Sequence, residues 1–174
     1  MVGSILHQAR RVVCVMALLS TPTVAQSLPP TLSPPIDLSG PRFGLTVLSP
    51  GVVHTLATEH VDVRPVVSQF GWQVEKRFYG GGNGLTAVSE WVALFGGLVQ
   101  GLVIPSLSWL AGLRTNTGVE FGAGPNITPV GVGLVLAAGT TFRSGALNFP
   151  VNVAVTPSRA GMRVSLLTGF NARR

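Results

Sequence analysis

Hydrophobic and polar positions alternate most regularly over residues 66–78. Val66, Ser68, Phe70, Trp72, Val74 and Phe78 share one parity, interrupted by Lys76, while Gln69, Gly71, Gln73, Glu75 and Arg77 take the other. Successive side chains of a strand project to opposite faces, so this segment predicts a ribbon whose two sides meet different surroundings. The same two-faced pattern returns downstream. Eight strands are expected, over roughly 42–57 (bulged at Pro50), 63–79, 84–94, 103–115, 118–126, 130–143, 146–156 and 161–171. The breaks at 80–83, 115–117, 143–145 and 157–161 are rich in Gly, Asn, Ser and Pro, the residues that turns select.

The composition of the less apolar face decides between a soluble sandwich and a closed barrel. In 118–126, Val119, Phe121 and Ala123 oppose Glu120, Gly122 and Gly124. In 130–143, Val132, Leu134, Leu136, Ala138 and Phe142 oppose Gly131, Gly133, Ala137, Gly139, Thr141 and Arg143. The segment 146–156 sets Leu147, Phe149, Val151, Val153 and Val155 against Asn148, Asn152 and Ala154; the last sets Val164, Leu166 and Phe170 against Arg163, Ser165 and Gly169. A solvated outer face would carry many Lys, Glu and Thr residues. Glycine and alanine with a few charges suit a narrow interior, which makes the apolar face the outside. The expected fold is an all-β, up-and-down antiparallel transmembrane β-barrel of eight strands.

The N-terminal region fits that destination. Arg10 and Arg11 precede an apolar run at 12–19, Pro22 breaks it, and Thr23, Val24 and Ala25 are small residues suited to cleavage before Gln26. Eight apolar residues are too few to span a bilayer, which takes about 20, so 1–25 reads as a secretory signal peptide. Residues 26–41 contain Pro29, Pro30, Pro34, Pro35 and Pro41 and read as a Pro-rich periplasmic linker, leaving 42–174 for the barrel. The only cysteine, Cys14, lies inside the signal, so the processed chain has no disulfide or thiol chemistry. The net charge of +6 falls to +4 once Arg10 and Arg11 are removed. The remaining cations are dispersed, without basic runs or interleaved aromatics, and no nucleic-acid partner is expected.

By parity, Glu75, Arg77, Glu90, Arg114, Glu120 and Arg163 point inward, three acids and three bases. An eight-stranded barrel is filled by its own side chains, so these groups are read as a salt-bridged plug. A charged constriction in a narrow pore is the functional alternative. Phe70, Trp72, Phe78, Trp91 and Trp109 are the candidate interfacial aromatic belt. Closing 80–83 as a four-residue loop would place Phe78 opposite Leu85, Val74 opposite Ser89, Gln73 opposite Glu90 and Trp72 opposite Trp91.

Candidate chemistry is sparse. Beyond the signal only His54 and His60 remain, at a spacing that suits no standard metal set, and no cysteine is left to complete one. A Ser/His/acid set could be drawn from Ser68, His54 or His60, and Glu59 or Asp62, but no nucleophile elbow accompanies it. Gly131-Val132-Gly133 and Gly122-Ala123-Gly124 lack the third glycine and following helix of a dinucleotide site, and 80–84 lacks the Lys-Ser/Thr of a phosphate loop. No catalytic residue, metal or cofactor is assigned. Residues 91–113 are apolar except for Gln100, Ser106 and Ser108, and could form a membrane helix. Pro105 and the glycines at 96, 97, 101 and 112 favour two strands joined through 95–102.

With Ser68-Gln69-Phe70-Gly71-Trp72-Gln73, Ile104-Pro105-Ser106-Leu107, Gly122-Ala123-Gly124-Pro125-Asn126 and Ser165-Leu166-Leu167-Thr168-Gly169-Phe170-Asn171, the chain resembles small, uncharacterised bacterial outer-membrane barrels over about residues 42–172. The resemblance implies a Gram-negative outer-membrane location, lipid as the surrounding partner, and insertion by the outer-membrane assembly machinery. It brings no catalytic residues. Phe170 is followed by Asn171-Ala172-Arg173-Arg174, a departure from the usual terminal aromatic. With both termini periplasmic, the outward connections near 58–62, 95–102, 127–129 and 157–160 are expected to be short. That favours a structural or accessory role with a filled lumen, with an unidentified envelope protein as the candidate partner, over a lipid-modifying enzyme or a transport pore.

Overall fold

The structure, a computed structural model, describes residues 37–80 and 84–172. The expected signal peptide and most of the Pro-rich linker lie outside the described residues. Eight strands form the wall: β1 (Gly40–Leu48), β2 (Val66–Gly80), β3 (Leu85–Gly96), β4 (Ile104–Thr115), β5 (Val119–Thr128), β6 (Gly131–Ser144), β7 (Leu147–Ser158) and β8 (Gly161–Gly169). Each pairs antiparallel with its sequence neighbour, and β1 pairs with β8 through Arg42↔Gly169 to Leu48↔Arg163. The sheet therefore closes as an up-and-down barrel and leaves no long free edge. A short β9 (Asn171–Ala172) continues β8 along β7.

The facing follows the alternation. Phe70, Trp72, Val74, Trp91, Phe121, Leu136 and Leu166 are exposed on the outer surface, while Gln73, Glu75, Glu90, Val92, Leu110 and Val135 are buried. Residues 91–113 are two strands joined through a short 3-10 turn (Leu98–Gln100). Among the described residues no helix is long and apolar enough to cross a membrane.

Three expectations need correction. The first concerns 42–57, which is not one bulged strand: β1 ends at Leu48, and a helix α1 (Pro50–Thr58) follows. Pro50 occupies the first helical turn, where its missing N–H has no partner to lose, and Val52 and Leu56 bury one face at i, i+4 spacing. The connection 49–65 is therefore a folded segment and not a short loop. The second concerns the β2–β3 register. A bulge between Arg77 and Tyr79, and a first pair at Gly80↔Thr86, slide the strands by two residues, so Trp91 lies opposite Val74, and Trp72 opposite Ala93. Across β3–β4, Trp91 meets Trp109 instead, with ring centroids 6.3 Å apart. The third concerns the linker boundary: β1 starts at Gly40, and Leu38 is already fully buried.

Candidate functional site inside the barrel

The lumen is organised in levels along the barrel. At the end where β1 begins and β8 finishes, Arg114 from β4 gathers three carboxylates from nearby strands. Its Nη1 and Nη2 donate to Glu75 of β2 at 2.7 and 2.5 Å, its Nε and Nη2 to Glu120 of β5 at 2.9 and 2.7 Å, and its Nη2 stands 3.5 Å from Glu90 of β3. All four side chains are nearly excluded from solvent. A guanidinium suits this junction because its planar fork can serve two carboxylates at once.

One row of residues shows how the small interior side chains work. Glu120 pairs with Gly139, and Gly139 with Asn152, across β5, β6 and β7. With no side chain on Gly139, Asn152 lies over it and donates from Nδ2 to Glu120 at 2.6 Å. A Cβ on Gly139 would meet Asn152 Oδ1 at 2.6 Å and the Val151 carbonyl at 2.8 Å. The glycine thus lets a side chain on β7 reach β5.

Arg42, absent from the sequence-based set, belongs to this end. It is 2% exposed, donates from Nε to Gln73 at 3.0 Å and from Nη2 to the Leu38 carbonyl at 2.5 Å, and interacts electrostatically with Glu120, Glu90 and Glu75. Its parity was readable, since Arg42, Gly44, Thr46 and Leu48 alternate with Phe43, Leu45 and Val47. Arg42 stands at the first position of the expected segment 42–57, where the alternation has no preceding residue to anchor it. Arg77 departs the other way: it has inward parity but lies at the β2 bulge, where the strand outruns the wall, and it is exposed.

Further along, Val92, Leu94, Leu110 and Val135 form an apolar band across the lumen. Beyond it stands Arg163 of β8, buried but away from the acids. It donates from Nη1 to Thr128 Oγ1 at 3.0 Å and from Nη2 to Asn126 Oδ1 at 2.8 Å, spanning the lumen to β5. Asn126 in turn donates to Ser106 and Ser108, each at 2.9 Å. Over this end α1 places Val52 and Leu56 against Leu48, Val63 and Val67, with Ile104 and Val130 packed alongside. The lumen therefore has a charged end, an apolar waist, an arginine–amide level and an apolar cap.

The remaining candidates lie outside it. His54, His60, Glu59 and Asp62 are exposed on α1 and the segment after it, and Ser68 has outward parity. Among the described residues no group of three His, Cys, Asp or Glu side chains could hold a metal ion. Phe70, Trp72, Phe78, Trp91 and Trp109 are all exposed, at 42–66%. Trp109 Nε1 donates to Ser89 Oγ at 2.9 Å, and the pair Lys76↔Ser89 is the next outward-facing pair after Val74↔Trp91.

No protein-family model, curated protein or solved structure matches this chain.

Proposed function

We propose that this protein is an outer-membrane β-barrel of the Gram-negative envelope, exported by a signal peptide at 1–25 and serving a structural or accessory role. The observation that carries the reading is the outer wall. Large apolar side chains stand exposed on every strand, from Phe43 and Leu45 on β1 to Met162 and Leu166 on β8. Soluble monomers rarely expose contiguous apolar patches beyond a few hundred Å², whereas a lipid-facing band demands them. In this reading Trp91 and Trp109 lie near a membrane–water boundary, with Lys76 on its aqueous side and lipid beyond.

The lumen supports a role other than conduction. Among the described residues Arg114 and its carboxylates occupy one end and α1 packs over the other, which supports a closed lumen. Among the described residues His54 and His60 are exposed outside the lumen, which favours the accessory reading over the lipid-modifying one. The accessory role directs attention to the surface presented by α1, the part of the connections available to an envelope partner. Export with the outer-membrane fraction, together with a mobility difference between boiled and unboiled samples in detergent gels, is the expected result. A freely soluble product would overturn the membrane reading, and discrete channel events in planar bilayers would overturn the closed lumen.

A further inference from the structure

Arg163 is 8% exposed, yet no carboxylate of the described residues lies within ion-pair distance of it, since the short acid–base contacts in the barrel all belong to Arg114. Its two hydrogen-bond acceptors, Thr128 and Asn126, are neutral, and its Nε has no protein partner. A buried cation without a counter-charge is costly, because neutral acceptors recover only part of its lost hydration. The surroundings make this cation more than a packing accident. Arg163 lines two adjoining cavities, of about 70 and 40 Å³ open to the centres of water-sized molecules, and Thr46, Gln69 and Ser106 also line both. A single water needs only about 10–15 Å³ on that measure, so there is room for a small molecule. The smaller cavity runs under the cap, walled by Leu48, Val52, Leu56, Val67, Ile104 and Val130. Arg42 and Glu90 line the larger one as well, towards the charged end.

We propose that the lumen binds a small organic monocarboxylate, its anionic head on the Arg163 guanidinium and its short apolar tail under α1. The chemistry selects this class. Arg163 Nε offers an unused N–H, and a guanidinium prefers a planar, two-oxygen acceptor. An inorganic anion would satisfy the charge but leave the apolar cavity empty. A long acyl chain would exceed the space, and a second anionic group would be buried among the apolar walls under α1 or, in the larger cavity, would meet Glu90. The residues that line the site all belong to the described barrel, and the proposal does not depend on which membrane holds it.

The test uses the full processed chain folded in a non-ionic detergent, with the Arg Nε–H resonances observed by NMR and that of Arg163 assigned by its loss in Arg163→Lys. Hexanoate is the probe, with hexanol and inorganic phosphate as comparators. Hexanoate should shift the Arg163 Nε–H signal saturably. Hexanol should leave it in place, and phosphate should need at least tenfold higher concentration for the same displacement. By calorimetry Arg163→Met should weaken hexanoate at least tenfold, and Val52→Phe, which fills the tail cavity, should weaken hexanoate but not phosphate. The proposal is overturned if hexanoate leaves the Arg163 signal unmoved, or if phosphate matches it. Equal hexanoate affinity in Arg163→Met would overturn it too. Because the wild-type titrations stand alone, a variant that fails to fold does not protect the idea.

Discussion

The two ends of the lumen treat a buried guanidinium in opposite ways. Arg114 sits among Glu75, Glu90 and Glu120, and each of its nitrogens is engaged. Arg163 has comparable burial but neutral acceptors and an unpartnered Nε. One site resembles a structural bolt joining β2, β3, β4 and β5. The other holds its charge beside two cavities that it lines. The contrast teaches that burial of an arginine does not indicate its role; the distribution of counter-charges around it does.

Breaking the bolt should have the largest effect. Arg114→Met strands three carboxylates in a low-dielectric interior, and removing one partner of a buried ion pair typically costs about 3–5 kcal/mol. A matching fall in stability is expected in the urea unfolding of the folded barrel, and a loss under about 1 kcal/mol would contradict the bolt. Next comes the apolar cap. Leu56 is 3% exposed, and Leu56→Ala should cost about 2–3 kcal/mol, near the low end for such truncations because cavity space already adjoins it. The same unfolding assay reads this, and an unchanged midpoint would mean that α1 does not hold that end closed.

Gly139→Ala sharpens the comparison from within the charged end. The added methyl collides with Asn152 and the Val151 carbonyl, so Asn152 must release Glu120, at about 1–3 kcal/mol. Asn152→Ala in the same background should then add little, and full additivity of the two changes would argue against the shared contact. The smallest effect is expected at the other arginine. Arg163→Met loses two hydrogen bonds from a charged donor, each worth about 1.5–3 kcal/mol, but also removes the desolvation cost of a lone buried charge, several kcal/mol. Its net change should stay within about 1 kcal/mol of zero. A loss as large as that of Arg114→Met would erase the distinction between the two ends.

Much of this arrangement was legible beforehand, and the failures are instructive. The inward placement of Glu75, Glu90, Glu120, Arg114 and Arg163 follows from parity alone, because the pleat alternates side chains whatever the neighbouring strand does. Arg77 defeats parity because a bulge and a strand end intervene, and both depend on how β2 meets β3. The Trp91 partner went astray for the same reason, since register depends on the turn and on any extra residue within it. α1 was hidden by its β-branched residues Val52, Val53 and Thr55, which weaken helix propensity. Pro50 at the first turn and the spacing of Val52 and Leu56 were the available clues.

What the chain alone determined is the two-sided ribbon and its eightfold repetition, because alternation is a local property of extended backbone and turn residues act over a few positions. Tertiary structure decided which charges meet and which stay apart. Arg114 finds its carboxylates on strands one and two away in the chain order, and Arg163 reaches β5 across the lumen only because closure brings them face to face. Ring closure, strand slide and the inward fold of 49–65 are all long-range events, and their geometry exists only once the whole wall is assembled.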